Sequence, residues 1–580
     1  MSSSDFKKHS VIDSRLDIKS DVDFSVFKGG ANITAQTYNA ISTSTSNIVF
    51  NVQMPSVDTV FSKEVLIRTD MIFKLTGAVD GFFQYGATDA LKPFPFHQLI
   101  LNSNLTLNNT SVSVNTRDVL PLILKSMDKA DLQRWNSMTP CMQDTYYNYV
   151  DGAKYGNNNN VLAGYNNTDN DGRIDPRGAW VVDIAKNADM SGGVPASTDK
   201  EVYVRVIVCE PLLISPLSWC AEQEGGISGV QTFGLNLGLN TDATNAWSSA
   251  LDFATTKTSA LLYKVNVAQL LFTFLTPSAT MVIPKRCVST YLDLPRYITP
   301  QTQSIAPKAS VSIDTSTISL NVIPDALIVY VRNPFGNRNV NSSQANLCIK
   351  SITISFNNQA GICANMTSEQ LWKASLENGM NQSWQCWNGA YHINPNYTYD
   401  PAGKGTYGQY TPAGVNVPSV GCFLYLKFGK DINLNESYLA PSSLGQYQFQ
   451  CKVGVYNQSA DNITPEIVCV FPTSGLFINE SGQSNVYSGL LSKADVIETG
   501  TQEAYTAGDI NRMMGSGWWE SLKNHAKKLP PYLKWGRENV LDKLADDHKY
   551  KSHAEKASQI LKTLGMGHEH HHKGLHHRIK

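Results

Sequence analysis

Residues 105–120 read LTLNNTSVSVNTRDVL, and residues 354–371 read ISFNNQAGICANMTSEQL. Each opens with alternating apolar positions (Leu105 and Leu107; Ile354 and Phe356), turns at an Asn pair (Asn108-Asn109; Asn357-Asn358) and runs into a short helical pattern. Asn suits such a turn because its amide bonds the local backbone and because it tolerates positive φ better than most residues. Thr367 and Gln370 have capping-box spacing, and Asn115 or Thr116 is placed to cap a helix over Asp118 to Lys125. Short turn signals are common in β-rich chains. Two such units 249 residues apart, about the spacing of one β domain, predict a chain built from two related halves.

At 580 residues the chain has material for two to four domains. Only 17% of residues are charged, 48 basic against 49 acidic, and β-branched and aromatic residues abound, which favours strands joined by long polar loops. The ten cysteines form no CxxC pair and no zinc-spaced cluster, and are read as reduced core residues. The N-terminus has no apolar signal core, and no run of about 18 apolar residues occurs. These features predict neither ordinary secretion nor a membrane span, and the N-x-S/T sequons (Asn32, Asn109, Asn365, Asn396, Asn462 among them) are read as composition. Charge is uneven. From residue 511 onward there are 14 basic and seven acidic residues, which leaves 34 against 42 before it, and nine of the twelve histidines lie in that basic tail.

In order along the chain, residues 1–22 are a polar arm, and strands are predicted at Phe24–Gly30, Asn47–Met54 and Val65–Leu75. PFPF (Pro93–Phe96) suits an edge or corner. The run YGNNNNVLAGYNNTDNDG (Tyr155–Gly172) cannot form a core and reads as an exposed crown. Val202–Val208 alternates, Val230–Leu237 is a strand, and Leu261–Phe274 is so nearly continuous in apolar residues that burial on both faces is predicted. Pro277–Pro284 reads as a link. Strands then restart at Val288–Leu294, Ser310–Val322 and IPDALIVYVRNP (Ile323–Pro334), whose uncharged Ala326–Val331 predicts a central strand. After a second Asn-rich loop (389–417) come Phe423–Leu434, Tyr447–Tyr456 and Ile467–Phe471, and strands cease near Leu490. About eight strands per half is the pattern of an antiparallel sandwich or jelly roll.

With two β halves in view, several strings resemble the major capsid proteins of virophages and of polinton-like and adintovirus-like DNA viruses: FKGG (27–30), NVQMPS (51–56), PFPF with LTLNNTSVSVNTRDVL, EPLLISPL (210–217), IPDALIVYVRNP, and ITISFNNQAG with its TSEQLW helix. Their order and spacing carry the resemblance over roughly residues 24–480. It implies an all-β double jelly roll, two eight-stranded sandwiches in tandem, with an arm at 1–22, jelly roll 1 at 23–280, jelly roll 2 at 281–500 and a short helical basic tail at 501–580. Three such chains would form a pseudo-hexagonal homotrimer that tiles an icosahedral shell beside neighbouring capsomers and penton or minor capsid proteins. The location is the virion, no cofactor or metal is implied, and the Asn-rich loops would crown the outer face or clasp neighbours.

In the tail, Trp518, Leu522, Ala526 and Leu529 recur at helical spacing beside Trp519, Lys523, Lys527 and Lys528, until Pro530-Pro531 stops the helix. This basic amphipathic segment fits either a membrane surface or the shell interior, and genomic DNA is a further candidate partner. Met513-Met514-Gly515-Ser516-Gly517 is similar to the cleavage pattern of adenovirus-type maturation proteases, with the cut after Ser516, which adds a viral cysteine protease to the implied partners. The His-rich end reads as solvated and weakly metal-binding at most. Enzyme function is disfavoured: only His9, His97 and His392 lie outside the tail, and no phosphate-binding loop, HExxH or nucleophile elbow occurs. The alternative from another class is a β-sandwich attachment or spike protein binding host glycans.

Overall fold

The computed structural model describes residues 8–10, 25–27, 32–76, 85, 89–127, 132, 134–135, 138–151, 182–185, 201–218, 226–250, 262–276, 286–357, 359–393, 415–434 and 439–489. Alternating apolar residues produce eight principal strands in the first half: β1 (Asn32–Asn39), β2 (Asn47–Gln53), β3 (Leu66–Thr76), β4 (Ile100–Leu107), β5 (Thr110–Val114), β6 (Glu201–Pro211), β7 (Thr232–Leu239) and β8 (Leu262–Thr276). They pair antiparallel in two sheets ordered β1-β8-β3-β6 and β2-β7-β4-β5. The second half repeats the scheme with β9 (Arg296–Pro300), β10 (Ser310–Asp314, continued by Ile318–Val322), β11 (Ala326–Arg332), β12 (Cys348–Phe356), β13 (Gln359–Ile362), β14 (Leu424–Lys427), β15 (Leu444–Tyr456) and β16 (Glu466–Val470). Its sheets run β9-β16-β11-β14 and β10-β15-β12-β13.

In each half the first strand pairs with the eighth, the second with the seventh, the third with the sixth and the fourth with the fifth. That is a long hairpin rolled into two facing sheets, the jelly roll. The fold is therefore a double jelly roll, and among the described residues every strand ladder stays within its own half. Among the described residues, short helices accompany the strands, including α1 (Pro95–Leu99), α2 (Thr116–Ser126), α3 (Ser368–Glu377) and α4 (Trp384–Asn388).

The repeated sequence unit is the fourth strand, turn, fifth strand and following helix of each jelly roll. Asn108 and Asn357 occupy the turns with φ of 52° and 54°. Their backbone amides donate to the matching strand in each half, Asn108 to Thr232 O at 2.9 Å in β7 and Asn357 to Gln448 O at 2.7 Å in β15. The helices differ at their caps. Thr367 forms the full box on α3, its hydroxyl accepting from Gln370 N and its amide donating to Gln370 Oε1. Asn115 stands at the N-cap of α2 but makes no side-chain cap bond, because its Oδ1 accepts instead from Arg296 Nη2 at 3.2 Å.

Two further expectations need correction. β8 is buried on one face only: Tyr263, Val265, Leu270, Phe272 and Phe274 point into the sandwich, while Leu262 and Val267 are exposed and Leu271 is half-buried. A bulge between Val265 and Val267 resets the alternation so that both stretches still aim their aromatics inward. PFPF is less an edge than a helix start. Phe94 takes left-handed φ (51°) and Pro95 opens α1, where its missing N–H costs nothing. Part of the N-terminal arm is also paired, Lys8–Ser10 lying antiparallel to Ser25–Phe27.

Candidate assembly surfaces

The uncharged run at β11 is buried at every residue, and the alternation of a strand explains how. Leu327, Val329 and Val331 enter the core of the second jelly roll. Ile328 and Tyr330 point the other way and join the core of the first, together with Val468 and Val470 of β16. The outer face of sheet β9-β16-β11-β14 is thus a wall shared by both jelly rolls. Each fully buried side chain of this kind stabilises the chain by about 1.5–3 kcal/mol.

The element laid against that wall is α2, which is buried along nearly its whole length. Tyr330 donates from its hydroxyl to the Asp118 carbonyl at 2.5 Å, and burial pushes the phenol well up from its ordinary value. Asp118, itself buried, holds two arginines of the second jelly roll. Its Oδ1 accepts from Arg332 Nη2 at 2.7 Å and its Oδ2 pairs with Arg296 Nε. Arg332, only 2% exposed, also donates from Nε to Glu466 Oε1 at 2.6 Å. A buried charge set of this kind is costly to assemble and more costly to break.

Away from the wall, the halves are stitched by polar contacts. The Asp144 carboxylate accepts from Tyr149 Oη at 2.9 Å and from Gln344 N at 3.0 Å. Tyr147 N donates to Pro418 O, Val420 N to Thr145 O, and Lys92 Nζ to Ser342 O. A three-stranded sheet of Arg286–Asp293, Thr473–Glu480 and Gln483–Ser488 closes over the first Asn turn. Asn108 Nδ2 donates to Ser484 Oγ at 2.8 Å and to Gly229 O at 3.0 Å, and Ser484 N donates to Asn109 Oδ1 at 2.9 Å.

Among the described residues, the corresponding surfaces on the other sides carry exposed apolar side chains. The outer face of β1-β8-β3-β6, the first-half counterpart of the shared wall, exposes Ile207 (41%), Leu262 (57%) and Val267 (37%) around an Asp70–Arg205 pair. Ile207 and Val267 both lie opposite Asp70 in the ladder, so the two apolar positions flank the carboxylate on adjacent strands of the same face. Helix α3, the counterpart of α2, buries Leu371, Ala374 and Ser375 but leaves Leu376 37% exposed and Glu369, Lys373 and Glu377 in solvent.

Two of the resembling strings meet inside the first jelly roll. Glu210, which opens EPLLISPL, is fully buried and accepts from the amides of Phe96 (3.1 Å) and His97 (3.0 Å) in PFPFH and from Thr139 Oγ1 (2.9 Å). His97 Nδ1 lies 2.5 Å from the same carboxylate. This is a structural clamp on the first turn of α1, with neither group open to solvent.

Cys348 and Cys422 are buried free thiols. Burial pushes Cys422 up to about 12 and Cys348 well above its usual value, so both stay protonated and unreactive at neutral pH. Among the described residues no group of three or more His, Cys, Asp or Glu side chains is placed to hold a metal ion, and no helix is long and apolar enough to cross a membrane.

The candidate residues read from the tail, Met513, Gly515, Ser516, Gly517, Trp518, Trp519, Leu522, Lys523, Lys527 and Lys528, lie outside the described residues. So do residues 155–172, most of the 389–417 loop and the Pro277–Pro284 link. Sequence reading missed Asp118, Arg296, Arg332 and Glu466. The available signal was a charge at the end of an uncharged run, Arg332 after Ala326–Val331.

Comparison with known proteins follows the same two halves. Residues 4–275 match the sequence family described as the Sputnik virophage major capsid protein first domain, and residues 294–475 match the major capsid protein V20 C-terminal domain. The chain is 24% identical over 585 residues to the putative capsid protein V20 of Sputnik virophage, covering 96% of this chain and 93% of that one. Among solved structures it resembles a chain of the Sputnik virophage particle (TM-score 0.71, 22% identity, 87% of this chain and 98% of that one). It also resembles the mavirus major capsid protein (TM-score 0.65, 14% identity, 86% and 98%). Two jelly rolls of one rolled-hairpin order, each matched by its own domain of the same capsid protein, lead to one conclusion: the chain belongs to the virophage major capsid protein family, a structural family of the virion shell and not an enzyme.

Proposed function

We propose that this capsid subunit assembles as a closed, pseudo-hexagonal homotrimer, in which the uncovered sheet of one copy's first jelly roll packs on helix α3 of the next copy's second jelly roll. The observation that carries this reading is the inequality between equivalent surfaces. Inside one chain, the outer wall of jelly roll 2 covers α2 of jelly roll 1. By the internal repeat, the outer wall of jelly roll 1 has a natural partner in an α3, and among the described residues of the chain none lies on it. An α3 that satisfies it without distorting the intrachain contact is on another copy.

Such a contact is heterologous, a wall on one side and a helix on the other, and it closes into a ring when three copies of two jelly rolls complete a circle of six. Obligate contacts of this type bury more than about 2,000 Å². The exposed Ile207, Val267 and Leu376 supply its apolar centre. The domain limits that go with this reading are an arm at 1–22, jelly roll 1 at 23–280, jelly roll 2 at 281–500 and a tail at 501–580. Light scattering on the purified full chain is expected to give three times the 63.8 kDa chain mass, with pseudo-hexagonal outlines in negative stain. A monomer at micromolar concentration would reject the trimer.

The maturation reading of the tail rests on the Met513–Gly517 motif at the junction of body and tail. It is tested by intact-mass spectrometry of mature particles: a chain ending at Ser516 supports processing, and an intact C-terminus removes it.

A further inference from the structure

At the rim of the seam, Phe335 follows β11 in a short turn, and three guanidinium groups surround its ring. Arg332 lies 4.3 Å from the ring centroid, Arg117 4.5 Å and Arg338 4.6 Å. Arg296 stands behind them on Asp118. The acids that face this group from the packed elements are Asp118 on α2 and Glu466 at the start of β16. Among the described residues, four positive charges therefore meet two negative ones in a partly buried place. An aromatic face offsets a nearby cation by about 0.5–2 kcal/mol, which is a weak substitute for a counter-charge.

The hydrogen-bonding inventory points the same way. Arg332 is only 2% exposed, and with Nε on Glu466 and Nη2 on Asp118 its Nη1 has no acceptor among the described residues. Arg117 Nε likewise makes no hydrogen bond, its carboxylate neighbour Asp118 standing 4.0 Å away. Arg338 spends Nε on the Asn333 carbonyl at 2.9 Å. Burial and then the adjacent Arg332 push Arg338 down to about 10, the response of a cation crowded by another.

The geometry points to an oxyanion site of the phosphate class, with buried Arg332 as its floor, Arg117 of the first jelly roll and Arg338 of the second as its rim, and Phe335 fixing their spacing. Forked guanidinium donors match the oxygens of a phosphate better than those of a spherical halide. Because the rim residues come from both jelly rolls, an anion bound here ties α2 to the turn after β11 and stabilises the folded chain by mass action. The anion has two sources with the same chemistry, free inorganic phosphate or a phosphodiester of nucleic acid.

The test is the melting temperature of the full chain in 10 mM sodium phosphate, compared with sodium chloride of equal ionic strength. A millimolar site predicts a rise of about 1 °C in phosphate, and this rise should be lost in Arg338→Gln and in Arg117→Gln. If Arg338→Gln fails to fold, Arg117→Gln, at the more open rim, decides alone. An equal melting temperature in the two salts, or a phosphate rise that both variants keep, overturns the site. A parallel arm with an eight-residue oligothymidylate assigns the source: a variant-sensitive rise with it as well as with phosphate indicates nucleic acid, and a rise with phosphate alone indicates the free anion.

Discussion

Strands β8 and β11 are both apolar runs hydrogen-bonded on each edge, yet they differ in surroundings. β11 is sealed on both faces because the first jelly roll lies against it, whereas β8 keeps Leu262 and Val267 exposed and Leu271 half-buried. The helices invert the pattern, with α2 covered and α3 half bare. Composition alone cannot separate these cases. What separates them is that a chain with two jelly rolls has one internal contact, so each repeat satisfies only half of its pair of equivalent surfaces.

The charge pairs on the two walls offer the strongest contrast. Asp118→Ala strands the buried Arg332 and the half-buried Arg296 and is expected to destabilise the chain by about 3–5 kcal/mol. Asp70→Ala frees an arginine that is 36% exposed and hydrates readily, so its cost is about 1 kcal/mol or less. Urea unfolding of both, in a Leu376→Asp background that removes contacts between copies, checks the difference. Equal costs would mean that the seam is not the dry, shared wall described above.

A smaller contrast lies in the paired turns. Asn108→Ala loses four side-chain bonds, to Gly229, Ser484, Gln231 and Thr232, and places Ala in a left-handed conformation, for roughly 2–4 kcal/mol. Asn357→Ala forfeits chiefly the backbone preference, about 1 kcal/mol, and Asn357→Gly is expected to restore it. The caps give the smallest effect and the reverse order. Thr367→Ala removes a working box at about 1 kcal/mol, whereas Asn115→Ala loses no cap bond, only the contact with Arg296, and is expected to cost about 0.5 kcal/mol. Thermal melts of the five variants resolve these differences.

Much of this architecture is legible in the chain itself. Alternation located most of the principal strands, though not β1 or β9, the first of each jelly roll, and the two Asn turns with their helices exposed the duplication, because a left-handed turn and a cap are local demands that a residue meets on its own. The resemblance of scattered strings then supplied the topology. The seam was not legible, since Asp118 and Arg332 are 214 residues apart and nothing local marks them as partners. Nor was the second face of β8, because an apolar run looks the same whether its own chain or another copy covers it. Asn115 shows the same limit at small scale: a good cap residue was drawn off by an arginine 181 positions away.

The central claim is that contacts between copies are head to tail, wall against α3, and mixing tests it most directly. Ile207→Asp spoils the wall and Leu376→Asp spoils the helix, both at exposed positions where folding changes by no more than about 0.5 kcal/mol. Each variant alone is expected to be monomeric, since every contact has one bad side. An equimolar mixture restores one good contact, the intact wall of the Leu376→Asp chain on the intact helix of the Ile207→Asp chain, so sedimentation velocity should show a dimer that stops there. Trimers from either variant alone, or a mixture that stays monomeric, would contradict the account.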